Sequence, residues 1–240
     1  MKKTIGILGG MGPEATAHMF ELIIKNTKAE KDQDHIPVII YSNPKIPPRT
    51  DAIFNKGPSP TQFLIEGAEL LEKAGADFIV MPCITAHYFF HEVATHVSIP
   101  FLNLLEESLL WIKRNIPGIK TAGLISSTGT LESRLFHNTL GNEGIEVINP
   151  NKNEQQKVME AIFGEKGIKA GYTSGAPKEI IIQIAHVLIQ RGAEAIIAGC
   201  TEVPLVLTSK DIRVPLIEPM SIIARLSIKK AGYELKSHRD

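Results

Sequence analysis

The chain of 240 residues lacks an excess of either charge, lacks long apolar runs and contains almost no cysteine. Lys plus Arg and Asp plus Glu both number 26, so the formal net charge is zero. A chain without a basic surplus has no general electrostatic attraction for nucleic acid or for an anionic membrane. We therefore expect a small molecule as its partner, with no nucleic acid and no membrane.

No apolar stretch approaches the roughly 20 residues that span a bilayer. The first residues run into a strand pattern instead of a cleavable signal, and we expect a cytoplasmic protein. Cys83 and Cys200 are the only two cysteines. This number excludes a disulfide framework, and a reducing compartment would keep both as thiols that are available for chemistry.

The two cysteines lie in matching phrases. Cys83 and Cys200 each end an apolar run that begins with Gly-Ala, at an offset of 117 residues (200 − 83). The first strand phrase and its glycine loop, residues 4–12, are matched at the same offset by residues 121–129. The chain is therefore predicted to consist of two related halves, each of which contributes one thiol.

Short runs of β-branched residues and leucine alternate with amphipathic stretches. Strands are predicted at residues 5–8, 38–41, 78–81, 122–125, 147–148 and 195–198, and helices from Pro13 and at about 61–74, 106–114, 131–142, 177–190 and 220–230. Because the strand runs are apolar throughout, they belong in parallel sheets that are covered on both faces. The predicted fold class is α/β, with two pseudo-symmetric three-layer domains and mainly parallel sheets.

The repeat also predicts the domain limits. Short Pro-containing strand phrases follow the two cysteine segments at nearly equal distance, at residues 99–103 and 214–218. We place crossovers near residues 103 and 212. The predicted first domain comprises residues 1–103 and 213–240, and the second comprises residues 104–212, with one cysteine in each.

Each cysteine follows a buried-strand pattern and precedes a helix pattern. Unpaired N–H groups and the helix dipole at a helix start favour the thiolate, so we expect the pKa of both thiols to fall toward neutrality. If the repeat brings equivalent strand ends together, the thiols face one cleft. A thiolate on one side and a thiol on the other can then invert a carbon stereocentre without a cofactor.

Three other roles for the cysteines stay open at this point. Free cysteines are often buried and structural, although the repeat makes this explanation less favoured. A redox pair is the second alternative. Zinc ligation is the third, with His87 as a further ligand near Cys83, but Pro204 occupies the equivalent place after Cys200 and a zinc site needs about four ligands. We expect no metal.

Two segments are predicted to be loops, and both contain cationic residues. Residues 43–50 combine prolines with Lys and Arg, and residues 164–171 combine glycines with lysines. Loops beyond the carboxyl ends of parallel strands bind ligands in α/β folds, so these cations are candidates for binding an anionic ligand, although most such charges are simply solvated.

The glycine loop at residues 9–12 also fits a loose dinucleotide fingerprint, but Glu14 would lie where the diphosphate binds.

The motifs together resemble those of the aspartate/glutamate racemase family, and specifically its aspartate racemase-like branch. The resemblance rests on Ile5-Gly-Ile-Leu-Gly-Gly-Met-Gly-Pro13, Pro82-Cys-Ile-Thr-Ala-His87 and Gly199-Cys-Thr-Glu202 and covers essentially the whole chain. It implies an amino-acid racemase, an isomerase, that needs neither pyridoxal phosphate nor any other cofactor. It also implies a homodimer with the active site between the two domains of each chain.

The resemblance implies roles for individual residues. Cys83 and Cys200 become the catalytic acid/base pair, and Arg49 and Lys169 become the cationic partners of substrate carboxylates. His87 lies in the motif too, as a supporting residue that is either catalytic or structural. The substrate pocket is lined by Met11, Gly12, Thr85, Thr128, Thr201 and Glu202.

Two positions depart from the common family phrases. Ile84 stands where Asn is usual and Pro48 where Asp is frequent. Ile neither donates nor accepts a hydrogen bond, which leaves the choice of amino acid open. We predict a two-base racemase of an amino acid or dicarboxylate, with aspartate or glutamate first. The alternatives are a related cysteine-dependent isomerase or decarboxylase of a dicarboxylate and a catalytically silent amino-acid-binding protein.

Overall fold

The computed structural model describes residues 2–236. Met1 and residues 237–240, which belong to the predicted first domain, lie outside the described residues. In the described part of the chain, no helix is both long enough and apolar enough to cross a membrane.

Strands and helices alternate along the described chain, as expected for an α/β fold. In chain order they are β1 (Ile5–Gly9), α1 (Pro13–Asn26), β2 (Val38–Ser42), α2 (Arg49–Ile53), α3 (Thr61–Lys73), β3 (Phe78–Val80), α4 (Phe90–Ala94), α5 (Leu104–Asn115), β4 (Thr121–Ile125), α6 (Thr128–Glu132), α7 (Leu135–Gly141), β5 (Glu146–Ile148), α8 (Lys152–Phe163), α9 (Ala176–Gln190), β6 (Ala195–Ala198), β7 (Leu216–Ile217) and α10 (Pro219–Lys230). Short 3-10 helices occur at Asp32–Asp34, Thr85–Phe89, Ile168–Ala170 and Val203–Leu205.

The chain folds into two compact units. The first runs up to Glu107 and resumes at Met220, and the second comprises Ser108–Pro219. These limits lie slightly beyond the crossovers expected near residues 103 and 212. The reason is that α5 begins in the first unit and continues into the second, and that α10 begins at the last residue of the second.

The first unit is built on a parallel sheet in the order β2-β1-β3. Phe101 extends this order by one parallel bridge to Ile79 of β3. All residues of the central strand β1 are buried, which explains why its sequence is apolar without alternation. The carboxyl ends of β1 and β3 lead into the loops that carry Met11 and Cys83.

The second unit has the same plan, with a parallel sheet in the order β5-β4-β6-β7. Its central strand β4 is followed by Thr128, and β6 is followed by Cys200. Parallel strands end at the same edge of a sheet, so these two residues lie along one edge, where open α/β sheets bind ligands.

Equivalent hydrogen bonds support the repeat. In the first unit, Thr4 N–H donates to Asp77 Oδ2 at 2.7 Å and Asp77 N–H donates to Thr4 O at 2.9 Å. In the second, Thr121 N–H donates to Glu194 Oε2 at 3.0 Å and Glu194 N–H donates to Thr121 O at 2.9 Å. The same offset of 117 residues relates the two pairs (121 − 4 and 194 − 77). The acidic residue of the Gly-Ala-acid phrase thus joins equivalent strands in both units, β1 with β3 in the first and β4 with β6 in the second.

One predicted helix is divided. The single helix expected over residues 131–142 is replaced by α6 and α7, with Arg134 between them in the left-handed region at φ 54°. Ser127 caps the first of these helices because its Oγ accepts from Thr130 N–H. The helical period alone did not reveal this break.

Helix α8 was not predicted. Its start is a capping box in which Asn151 Oδ1 accepts from Glu154 N–H at 3.0 Å and Glu154 Oε2 accepts from Asn151 N–H at 2.7 Å. The helix buries Gln155, Val158 and Ile162 at helical spacing. The Asn-x-x-Glu signal was therefore present in the sequence.

Candidate active site

Cys83 lies just beyond β3, at the carboxyl end of the first unit's sheet, and is buried. Its Sγ is 3.5 Å from Thr85 Oγ1. Met11, from the loop after β1, belongs to the same apolar cluster as Cys83. Loops after two neighbouring strands therefore bring Met11, Cys83 and Thr85 together.

His87 is buried next to this loop, and both of its ring nitrogens bind backbone. Leu104 N–H donates to Nε2 at 3.1 Å, so Nε2 is unprotonated, and Nδ1 therefore carries the proton and donates to Cys83 O at 2.8 Å. Burial, offset only in part by hydrogen bonds to the backbone, lowers the pKa of His87 to about 4. His87 is a neutral residue that positions the Cys83 loop against the start of α5.

The Arg49 guanidinium, at the start of α2, faces backbone carbonyls. Nη1 donates to Pro47 O at 3.0 Å and to Ile46 O at 3.3 Å, and Nη2 donates to Met11 O at 3.4 Å. Nε is buried and has no hydrogen-bond partner among residues 2–236. A Cβ at Gly12 would meet no atom within 4 Å, so there is open space beside Gly12. Arg49 is thus held by backbone carbonyls of its own loop and of the loop that carries Met11.

Cys200 follows β6 in the second unit and is partly buried. Its Sγ donates to Glu202 Oε2 at 2.8 Å, and Thr201 Oγ1 donates to the same oxygen at 2.9 Å. Burial, followed by the negative charge of Glu202 and the hydrogen bond to it, raises the pKa of the Cys200 thiol far above its ordinary range. Cys200 is therefore a thiol at neutral pH and can donate a proton.

Lys169 binds the other oxygen of the same carboxylate, because its Nζ is 2.5 Å from Glu202 Oε1. Burial by itself would raise the pKa of Glu202, but the hydrogen bonds from Cys200 and Lys169 and the charge of Lys169 outweigh it and lower that pKa. Glu202 is thus a buried carboxylate with three donors, as a buried charge requires. Lys169 already has an anionic partner before any substrate binds.

The expectation that a helix start lowers the thiol pKa is wrong for Cys200. The helix that follows is a 3-10 segment of three residues, Val203–Leu205, and the Glu202 carboxylate lies 2.8 Å from the sulfur. A like charge at this distance and burial both disfavour the thiolate. They outweigh the small dipole of a single turn.

Thr128 is the first residue of α6, just beyond β4, and β4 is the neighbour of the strand that leads to Cys200. Its N–H donates to Met159 Sδ at 3.2 Å, and its Oγ1 accepts from Gln155 Nε2 at 3.3 Å. Thr128 therefore lies outside the hydrogen bonds around Glu202. Gln155 was not predicted to lie here because helix α8 was not predicted, and the capping box at the start of that helix is the signal in the sequence that could have revealed both.

Each unit by itself thus gathers a subset of the predicted residues. In the first unit these are Met11, Arg49, Cys83, Thr85 and His87, and in the second they are Lys169, Cys200, Thr201 and Glu202. Within residues 2–236, no three His, Cys, Asp or Glu side chains form a group that could hold a metal ion.

Comparison with known proteins decides the family. The model of the Asp/Glu/Hydantoin racemase family matches residues 8–227. The chain belongs to this family. The chain is also 31% identical over 229 residues to the broad specificity amino-acid racemase RacX of Bacillus subtilis (strain 168), which covers 93% of this chain and 96% of that relative.

Solved structures agree with this assignment to the Asp/Glu/Hydantoin racemases. Picrophilus torridus aspartate racemase has a TM-score of 0.83 and 31% identity, over 98% of this chain and 96% of that one. An aspartate racemase homologue from Pyrococcus horikoshii OT3 has a TM-score of 0.80 and 28% identity, over 97% and 100% of the two chains. The predicted family, the α/β fold class and the assignment to the racemases, which are isomerases, are confirmed.

Proposed function

We propose that this protein is a cofactor-independent amino-acid racemase in which Cys83 and Cys200 exchange protons with the two faces of Cα. The observation that supports this most is the equivalence of the two cysteines. Each follows a strand next to the central strand of its own sheet, β3 beside β1 and β6 beside β4. The chain contains no other cysteine.

The raised pKa of the Cys200 thiol supports a role as the acid in one direction of the reaction. The thiolate of Cys83 removes the Cα proton, so that the Cα–H bond breaks and an S–H bond forms on Cys83. Cys200 then delivers its own proton to the opposite face, and its sulfur becomes a thiolate. The reverse direction exchanges these two roles, so each cysteine must serve once as acid and once as base.

The amino acid's α-carboxylate needs donors, because removal of the Cα proton builds up negative charge on it. Arg49, whose side chain contacts the carbonyl of Met11, is a candidate for this task because a guanidinium binds carboxylates in a planar, bidentate manner. The hydroxyl groups of Thr85, Thr128 and Thr201 are further candidates. Glu202 and Lys169 would hold the Cys200 thiol in place between turnovers.

Aspartate and glutamate are the first substrates to test, but we propose that the range extends beyond them. Lys169 already pairs with Glu202, and Ile84 replaces the Asn of the usual phrase. Both features reduce what the site offers to a second carboxylate. The relative from Bacillus subtilis is named a broad specificity racemase, in line with this proposal.

A cytoplasmic homodimer is the assembly that we propose, and sedimentation equilibrium would measure its mass.

The test is proton exchange in deuterium oxide across the proteinogenic amino acids, with chiral chromatography of the products. We expect deuterium at Cα and inversion without added cofactor. The variants Cys83→Ser and Cys200→Ser should each lower racemisation by about 1000-fold in both directions, as loss of an acid or base does. Thr95→Ser, at the exposed end of α4, is the control and should leave the rate unchanged.

The outcomes separate the candidate functions. Binding by calorimetry without Cα exchange for any amino acid would identify a binding protein instead, and release of carbon dioxide would identify a decarboxylase. Full activity in either serine variant would refute the two-base mechanism.

A further inference from the structure

A pocket of about 620 Å³ opens in the second unit, between α6 and α8 and at the carboxyl ends of β4 and β5. Leu131, Met159 and Phe163 give it apolar walls. Phe163 is the last residue of α8 and leaves 48% of its surface exposed. A cavity of this size ordinarily holds a small-molecule ligand, and the exposed ring is an accessible apolar surface that such a ligand would cover.

Contacts within the second unit connect this pocket to Cys200. The Phe163 ring centre lies 5.5 Å from Lys169 Nζ. Lys169 Nζ is 2.5 Å from Glu202 Oε1, and Glu202 Oε2 is 2.8 Å from Cys200 Sγ. Because the two oxygens of a carboxylate are less than about 2.5 Å apart, the ring centre lies at most about 13 Å from the sulfur.

This limit defines the length of substrate side chain that could reach the pocket from Cys200. Reacting atoms approach to about 3–3.5 Å, so the substrate's Cα would lie that far from the sulfur. Each bond of an extended side chain advances about 1.3 Å, and four bonds advance about 5 Å. A four-bond side chain that points toward α8 then ends about 5 Å from the ring centre of Phe163, in contact with ring atoms. The single bond of alanine falls short by several ångströms.

The groups around the pocket disfavour a carboxylate at the end of that side chain. The Thr128 N–H already donates to Met159 Sδ at 3.2 Å and is not offered to an anion. Glu132 and Glu160 also line the pocket. The Glu160 carboxylate lies against it, because a Cβ on Gly164, another lining residue, would meet Glu160 Oε1 at 2.4 Å. These negative charges repel a second carboxylate.

A cationic end is disfavoured for a different reason. Lys169 Nζ already lies over the Phe163 ring, so a second cation at that ring would meet a like charge. Lys152 lines the pocket as well. An uncharged side chain meets neither repulsion and gains by covering the apolar walls.

We propose that this pocket receives the side chain of the amino acid whose Cα reacts beside Cys200, and that it selects long, uncharged, apolar side chains through Met159 and Phe163. The proposal rests on the proposed racemase function, since it places the reacting carbon beside Cys200. It reduces the broad range of substrates proposed above to one class.

The first experiment measures kcat/KM for racemisation along the series alanine, 2-aminobutyrate, norvaline and norleucine. Each added methylene should raise kcat/KM by about threefold or more, because burial of a methylene is favourable by about that factor. Norleucine should also exceed 2-aminoadipate, which has the same length and ends in a carboxylate, by at least about tenfold. A flat series, or 2-aminoadipate as the better substrate, would overturn the proposal.

The second experiment removes the exposed ring by Phe163→Ala. We expect kcat/KM for norleucine to fall at least about tenfold, while the value for alanine stays within about threefold. Leu110→Ala in α5, at a residue that is 42% exposed, is the matched control and should change neither value. An equal loss for alanine and norleucine would show that Phe163 only supports Lys169, and the proposal would then be wrong.

Calorimetry separates this proposal from the racemase function. If no amino acid is racemised, but norleucine binds more tightly than alanine and Phe163→Ala abolishes the difference, the pocket assignment stands and the function fails. If racemisation occurs without any gain along the series, the function stands and the pocket assignment fails. If there is neither racemisation nor tighter binding of norleucine, both fail.

Discussion

Removal of the charge next to Cys200 should make its thiol far more reactive, and Glu202→Gln is the change that does this with the same side-chain shape. The chain has two cysteines, so Cys83→Ser leaves Cys200 as the sole thiol. Any thiol reactivity that is measured in this variant then belongs to Cys200. In that background, Glu202 raises the pKa of Cys200 by its charge and by the hydrogen bond that it accepts. Gln at the same position has no charge, and the thiol should ionise at lower pH.

The magnitude follows from the distance between the two groups. With Cys200 Sγ 2.8 Å from Glu202 Oε2, a thiolate and a carboxylate repel by about 6 kcal/mol at an effective dielectric constant near 20. Lys169, bound to the other carboxylate oxygen, offsets part of this repulsion. If half remains, about 3 kcal/mol is relieved, and the thiolate population rises on the order of 100-fold, since 1.36 kcal/mol corresponds to a factor of ten.

The assay is the rate of alkylation by iodoacetamide between pH 7 and pH 9, with circular dichroism to verify the fold. We expect the Cys83→Ser/Glu202→Gln protein to react on the order of 100-fold faster than Cys83→Ser at the same pH, following the thiolate population. The control is Glu165→Gln, an exposed carboxylate on the segment before Lys169, which should have no effect. Rates that agree within twofold with and without Glu202 would refute the electrostatic account of Cys200.

Two further predictions concern stability. Burial lowers the pKa of His87 from 6.5 to about 4, so the free energy of unfolding should be constant above about pH 6.5 and should fall by up to about 3 kcal/mol as the pH decreases toward 4. Urea unfolding of the wild type at pH 7 and pH 4.5 should show this loss. An equal loss in His87→Gln would contradict it. A Cβ at Gly67 of α3 would lie 2.6 Å from Leu8 Cδ1, so Gly67→Ala should destabilise by about 1–3 kcal/mol. Gly141→Ala in α7, where a Cβ meets no atom within 4 Å, should be neutral or stabilise by up to about 1 kcal/mol, and the two melting temperatures test this contrast.

Strands were easier to predict than the helices between them. The runs at β1, β4 and β6 are apolar because their residues are buried in parallel sheets, and that burial is visible in the sequence. Helix α8 was missed although its capping box is local, and the break at Arg134 was missed because a left-handed residue leaves no mark on the hydrophobic period. Burial patterns identify elements better than they identify their ends.

The candidate site shows a similar division. The two cysteines and the residues next to them were identified from the repeat and from the motifs. The role of His87 was left open, since only the contact with Leu104, far along the chain, shows that its second nitrogen is occupied. Gln155, the partner of Thr128, was not considered, because its contacts with Ser126 O and Thr128 Oγ1 join positions that are 29 and 27 residues apart.

The sequence by itself determined the two α/β halves, the one thiol in each and the family, because hydrophobic period and short motifs are properties of neighbouring residues. Only the tertiary structure decided the protonation of Cys200 and the partner of Lys169. Both depend on the buried carboxylate of Glu202, which meets Lys169 across 33 positions of the chain. A pKa is determined by burial and by charges in space, and these are known only once distant segments have been brought into contact.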